Sequence, residues 1–245
     1  MEHNQKQRLS DLLNIRPGIT AVIGSGGKTT LLRRLAEELP GRVILTTSTH
    51  ILPFEEFPLV IFPEPADENA RADCLRGLED QLAERRAVCI GRWSDGQKKK
   101  LTSPGPDLRE LLSYADYILV EADGSKRLPV KAHAPWEPVI PGGAAETVCS
   151  VGASGFGKPV SEVCHRPEIF CRLAGCGPDA PVTADLVGKV IREEGLSDRI
   201  FLSQSDLLSE AAREEAVRDL SRASGLPCCA LPWDRRTDRA DITAL

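Results

Sequence analysis

The segment best suited to chemistry is Gly24-Ser25-Gly26-Gly27-Lys28-Thr29-Thr30. Small residues let successive backbone N–H groups curl around an anion, and the start of a helix adds positive dipole. Lys28 can then reach the β- and γ-phosphates of a nucleotide, and the Thr29 hydroxyl can ligate Mg²⁺. All seven residues are therefore expected to hold ATP or another nucleoside triphosphate. The strict pattern G-x-x-x-x-G-K-[ST] is not met, because its first glycine falls at Val22.

In open α/β sheets, ligands sit beyond the carboxyl ends of the strands. The apolar run Tyr117–Val120 delivers Glu121-Ala122-Asp123-Gly124 to such an end. Two carboxylates one residue apart project to the same side of an extended chain. They can hold Mg²⁺ or orient an attacking water. Lys28, Glu121 and Asp123 are thus the expected catalytic residues. Another strand ends in Thr46-Thr47-Ser48-Thr49-His50, whose hydroxyls suit phosphate or magnesium-bound water; a β-branched strand end leading to a helix cap is the alternative. Thr29, Thr49, Glu121 and Asp123 are the candidate metal ligands. Ser125, Lys126, Arg127, Lys131 and His133 form a basic patch just after the carboxylates, fit for an anionic substrate or for a solvated loop. Lys126, Lys131, His133 and His50 are the candidate substrate contacts. Asp206 follows the strand Arg199–Leu202 and serves equally as a base contact or as a helix N-cap.

These residues need elements to position them. Ile19–Ile23 reads as a buried strand, Lys28–Leu39 as a helix with Leu31, Leu32, Leu35 and Leu39 on one face, and Arg42–Thr47 as a second strand. Pro40-Gly41 stops the helix. This β-α-β order implies a parallel sheet with right-handed crossovers. Residues 1–16 read as an amphipathic helix, an extension of the domain. Leu59–Phe62, Ala87–Gly91, Tyr117–Glu121, Thr147–Val151, Arg199–Ser203 and Cys228–Leu231 are strand candidates. Asn69–Arg85, Asp107–Leu112, Thr183–Glu194 and Leu207–Ser224 are helix candidates, with Thr183 as an N-cap. Asp95–Pro106, with its Lys98-Lys99-Lys100 run, reads as an exposed loop. The expected architecture is one α/β domain over residues 1–245, a P-loop NTPase-like three-layer sandwich with a mostly parallel central sheet.

The 245 residues suffice for a sizeable core. Lys and Arg number 31 against 36 Asp and Glu, a net charge of −5. That mild acidity argues against nucleic acid or an anionic membrane as partner. No apolar run approaches the ~18 residues of a transmembrane helix, and no secretory signal is evident, so a cytoplasmic protein with reduced thiols is expected. The eight cysteines read first as small core residues. Cys164, Cys171 and Cys176 beside His165 are open to a second reading, a thiol site for selenium or metal.

The shortened loop resembles that of Mur-type ligases, G-x-x-G-K-T-T. More broadly, the chain resembles the YqeC family of selenium-dependent hydroxylase accessory proteins. The segments that carry the likeness are Gly24–Thr30, Thr46–Ile51, Glu121–Lys131, Glu137–Pro141, Gly157–Pro159 and His165-Arg166-Pro167-Glu168. The resemblance implies a P-loop nucleotide-binding protein that helps mature molybdenum hydroxylases at a selenium-related step, with the hydroxylase or its cofactor as partner. By matching positions it points to Lys28 and Thr29 for nucleotide, to Glu121 and Asp123 for metal or water, and to Lys126, Lys131, His165 and Arg166 for site roles. The family's last strand ends in L-N-x-x-D, where this chain has Ser203 in place of the asparagine.

The expected activity is that of a Mg²⁺-dependent ATPase or ATP-dependent transferase. The alternatives are a kinase or ligase acting on an anionic substrate, and a non-catalytic nucleotide switch that binds a partner.

Overall fold

The computed structural model describes residues 8–63, 68–94, 96 and 99–232. They fall into two compact units interleaved along the chain. The first takes in the chain up to Gly24, then Lys28–Gly124 and His133–Cys149; the second takes in Ser25–Gly27, Ser125–Ala132 and the chain from Ser150 onward.

In the first unit, helix α1 (Leu9–Leu12) leads to strand β1 (Gly18–Gly24), helix α2 (Lys28–Glu38) and strand β2 (Val43–Thr47). Strand β3 (Leu59–Ile61), helix α3 (Glu68–Glu84), strand β4 (Ala87–Trp93), the short strand β5 (Leu101–Thr102), helix α4 (Leu108–Leu111) and strand β6 (Tyr117–Glu121) follow. Of the expected helix over residues 1–16, residues 1–7 lie outside the described part and Leu9–Leu12 is helical.

β1, β6, β2, β4 and β3 lie side by side in that order, all parallel, so the expected α/β class with a mostly parallel sheet is what forms. Ile19–Ile23 and Val43–Thr47 are wholly buried, as suits strands covered on both faces. β1 and β2 do not touch each other. β6 inserts between them, with Val22 opposite Glu121 on one side and Thr47 opposite Glu121 on the other. Ile19, Ile44, Val88, Ile90, Ile118 and Val120 of these strands pack with Leu78 and Leu82 of α3 and Leu108 and Leu111 of α4. Each such side chain, fully buried, contributes roughly 1.5–3 kcal/mol. α2 packs its own stripe of Leu31, Leu32, Leu35 and Ala36.

The stretch Asp95–Pro106 departs from the expected exposed loop. Leu101 is completely buried, and Leu101–Thr102 pairs antiparallel with Arg92–Trp93 as β5. Ile51 and Leu101 also exchange backbone hydrogen bonds at 3.0 and 2.7 Å. A lone leucine in a polar run thus recruits its neighbours into a ladder, which satisfies their backbone groups. Lys98 lies outside the described residues.

In the second unit, β7 (Val130–Lys131) pairs parallel with β9 (Cys164–His165), two short strands that the sequence pattern did not announce. β8 (Ala144–Gly152) runs from the first unit into the second. Helices α5 (Val160–Val163) and α6 (Pro167–Ala174) are likewise additions to the expected elements. α7 (Ala184–Glu194) begins as expected, with the Thr183 hydroxyl accepting from the Leu186 N–H at 3.2 Å. β10 (Arg199–Ser203) and β11 (Cys228–Ala230) run parallel around α8 (Glu210–Ser224) in the sequence. α8 starts three residues later than expected. Ser209 caps it, accepting from the Ala212 N–H at 3.3 Å, whereas Asp206 sits in the preceding 3₁₀ turn Ser205–Leu207. No helix among the described residues is long and apolar enough to cross a membrane.

Candidate functional site

The register of β1, β6 and β2 brings three strand ends to one level in the first unit. Gly24 ends β1, and its N–H donates to Asp123 Oδ2 at 2.9 Å. Lys28, four residues on in the first turn of α2, folds back so that its ammonium donates to Gly24 O at 2.8 Å. The same Nζ lies 2.9 Å from Asp123 Oδ1 and 4.0 Å from Glu121 Oε1. His133 Nε2 meets Asp123 Oδ2 at 2.8 Å. Asp123 is 1% exposed and Lys28 5%, so both charges are held out of water and satisfied by each other and by polar groups.

Glu121 points to the rim. The Thr29 hydroxyl donates to its Oε2 at 3.4 Å. Burial pushes the Glu121 carboxyl above its ordinary value, opposed by the nearby Lys28 ammonium and reinforced by the Asp123 charge. Thr47 Oγ1 donates to Glu121 O at 2.7 Å and accepts from the Thr49 N–H at 2.9 Å. The Ser48 N–H donates to the same Glu121 carbonyl at 3.2 Å. Thr46, pointing the other way by strand alternation, donates to Ile90 O at 3.0 Å. The hydroxyl-rich strand end is therefore divided: Thr47 and Thr49 gather at the Glu121 backbone, and Thr46 serves β4. His50 is exposed beyond them.

Magnesium takes oxygen ligands in a near-octahedral shell and keeps some of its water. Thr29 Oγ1 and Glu121 Oε2, 3.4 Å apart at the rim, are two oxygens of the right kind and spacing to share one ion. Asp123 differs, since Lys28, His133 and the Gly24 N–H already engage its carboxylate.

In the second unit, Ser25–Gly27 are tied down by their own set of contacts. The Ser25 N–H donates to Ser150 O at 2.8 Å, and the Ser25 hydroxyl donates to Leu128 O. Ser150 and Ser203 hydroxyls both donate to Gly26 O, the latter at 2.9 Å. Gly26 and Gly27 have φ of +75° and +73°. A Cβ on Gly26 would meet Gly152 Cα at 2.7 Å, and one on Gly27 would meet Ser203 Cβ at 2.8 Å. Only glycine serves at both positions, for conformation and for space. Ser203, which stands where the resembled family has asparagine, thus supports the loop backbone. Asp206 is exposed in its 3₁₀ turn.

Lys131 and His165 are register partners across β7 and β9, and the Ala132 N–H donates to His165 O at 3.1 Å. Arg166 precedes α6 in a left-handed conformation, with Pro167 as first helical residue. Lys126 and Arg127 are exposed. The pairing of His133 with Asp123, ten residues apart on a loop, had no signal in the sequence, nor did the support of Gly26 by Ser150.

The cysteines are all free thiols. Cys164 is buried, with Sγ 3.5 Å from His165 O, and burial pushes its thiol up to about 12. At the end of α6 the Cys176 N–H donates to Cys171 O at 3.1 Å. Among the described residues no three His, Cys, Asp or Glu side chains are grouped so as to hold a metal ion.

Comparison with known proteins adds the family. No solved structure matches the chain. The protein of Escherichia coli (strain K12) described as "Uncharacterized protein YqeC" is 34% identical over 188 residues, covering 74% of this chain and 70% of that one. The family model described as YqeC protein matches residues 20–168, a span that holds the Gly-rich loop, both carboxylates, His133 and Arg166. The chain belongs to the YqeC family.

Proposed function

We propose that the protein binds a nucleoside triphosphate, ATP, with Mg²⁺ on Gly24–Thr30 and turns it over. The observation that carries this reading is the placement of Lys28. A lysine nearly shut off from water costs much unless something requires it there. Its ammonium is oriented by Gly24 O, Asp123 and Glu121, and it directly follows in sequence two glycines, Gly26 and Gly27, that hold left-handed conformations. An anion cradled by the loop amides would meet a positive charge already in place, and the α2 dipole would add to it.

The residues divide the work. Lys28 would bind the β- and γ-phosphates. Thr29 and Glu121 would hold Mg²⁺, which when bound neutralises phosphate charge. Asp123 would position Lys28 and fix the ring of His133. Catalysis of this kind is chiefly positioning and charge stabilisation on the transferred phosphoryl group. The P-loop NTPase-like fold expected from the sequence is consistent with the order of β1, loop and α2. By the resemblance drawn from the sequence, such an ATPase would act in the cytoplasm, in the maturation of selenium-dependent molybdenum hydroxylases.

One observation favours a second reading, phosphoryl transfer to an anionic acceptor. His133 is held by a carboxylate, the arrangement that orients an imidazole as general base. In this reading His133 would face the acceptor, whereas Lys126, Lys131, His165 and Arg166 of the second unit are the anion contacts that the sequence resemblance offers.

Isothermal titration with ATP and Mg²⁺ tests the proposal on the wild type and on Lys28→Ala. Binding to the wild type that falls at least tenfold in the variant is expected. Equal binding in both, or none in either, overturns it.

A further inference from the structure

The end of α6 carries two cysteines that the nucleotide reading does not use. Gly175 closes the helix in a left-handed conformation, with φ of 73° and ψ of 39°. Cys171 O accepts from the Gly175 N–H at 2.9 Å and from the Cys176 N–H at 3.1 Å. The second of these bonds turns the chain back over the last turn of its own helix, so that the side chains at its two ends meet. Apolar side chains ordinarily make that contact, and here both are thiols. Lys189 of α7 donates to Ala174 O at 2.7 Å and pins the same turn from outside. All of these groups lie in the second unit.

A backbone hydrogen bond between two residues keeps their Cα atoms about 5–6 Å apart, inside the roughly 4.4–6.8 Å that a disulfide spans. The thiols also act on each other. The Cys171 thiol is raised by burial first, then by the Cys176 thiol and by the Glu168 carboxylate. Cys171 and Cys176 are both half-buried, which leaves them open to a small reagent, whereas Cys164 is buried.

We propose that Cys171 and Cys176 are a reversible dithiol–disulfide pair whose substrate is a low-molecular-weight disulfide of the glutathione type. One thiol of the pair gives up its proton and attacks a sulfur of the reagent, whose S–S bond breaks and releases one thiol. The other thiol of the pair then gives up its proton and attacks the mixed disulfide, and the second reagent thiol leaves. The pair is oxidised by two electrons and the reagent is reduced to two thiols. A raised thiol makes the first attack slow at neutral pH. The turn makes the second attack fast, because the attacking sulfur is already in place. The closed form staples the last turn of α6 to the segment that leads towards α7. This pair stands apart from the nucleotide site, so the fate of either reading leaves the other untouched.

The test equilibrates the full chain with mixtures of reduced and oxidised glutathione, blocks the remaining thiols by alkylation and digests with trypsin. Cleavage after Arg172 parts the two cysteines, so a closed disulfide holds two peptides together until a reductant is added. The linked peptides are expected in the oxidising mixtures and should separate in dithiothreitol, with glutathione on neither cysteine. Cys171→Ser and Cys176→Ser should each abolish the link and leave glutathione on the thiol that remains. The oxidised wild type should melt a few degrees above the reduced form, because the bond closes a turn already formed. Cys176 linked to Cys149 or Cys164, lasting glutathione adducts on the wild-type pair, or no link in any mixture overturns the proposal. So does a lower melting temperature on oxidation, which would mean that the thiols had been drawn together against the fold.

Discussion

Lys28 Nζ lies 2.9 Å from Asp123 Oδ1, with side-chain exposures of 4% and 0%. Such a pair is coupled through the burial of both charges. Removing one partner strands the other, and breaking a buried pair typically costs about 3–5 kcal/mol. Asp123→Asn and Lys28→Met should each destabilise the protein by that order in urea unfolding. The double variant should lose less than the sum, since no lone charge remains. Additive losses would show that the two residues do not depend on each other.

Glu121 titrates in the opposite sense from a salt-bridged surface carboxylate. Burial raises its carboxyl, the Lys28 charge opposes, Asp123 reinforces, and the Thr29 hydroxyl opposes again. A carboxyl that holds its proton more tightly in the folded state supports the fold below its ordinary value of 4.5. That support is lost as the pH rises through the raised folded value. Glu121→Gln does not titrate. Its melting temperature relative to wild type should therefore climb from acid to neutral pH, by about 2–4 °C for each kcal/mol relieved. Nucleotide turnover should fall at the same time. A melting difference that stays constant between pH 4 and 8 would count against the raised carboxyl.

Gly26→Ala tests how tightly the loop is held. The new methyl would need a left-handed backbone, at about 1–2 kcal/mol, and would crowd Gly152 at 2.7 Å. Overpacking adds about 1–3 kcal/mol. A loss of at least about 2 kcal/mol is expected, with nucleotide binding abolished. Wild-type stability would mean that the loop opens freely.

The thiols bear on whether a cysteine handles soft ligands. Burial pushes Cys89 up to about 11, and Cys164 and Cys229 up to about 12. At pH 7.5 the thiolate fraction of each is under roughly 0.1%. Brief alkylation of the native protein should spare these three, and alkylation in urea should label them, as read by peptide mass. Rapid native labelling of Cys164 would revive a role for the Cys164, Cys171 and Cys176 group.

Sequence alone showed the elements with strong periodicity. Ile19–Ile23, Tyr117–Glu121 and Thr183–Glu194 lie where the pattern placed them, because long apolar runs and a threonine cap are local signals. β5, β7 and β9 were hidden, since two-residue strands carry no period. The cap of α8 shows the same limit in miniature. Asp206 and Ser209 are both good caps by type, and only the 3₁₀ turn between them decides for Ser209. At the site, Lys28, Thr29, Glu121 and Asp123 were legible from type and spacing. The bond from His133 to Asp123 was not, because it depends on a loop returning to β6.

The insertion of β6 between β1 and β2 also sets an order of events during synthesis. β1, α2 and β2 leave the ribosome first, yet the strand that joins β1 to β2, Tyr117–Glu121, emerges only about seventy residues after Thr47. At ~5–20 residues per second that is a wait of several seconds. Through that interval the Gly-rich segment has neither the carboxylates that orient Lys28 nor the sheet that carries them. The anion site proposed on Lys28 would therefore mature only after Asp123 has been made.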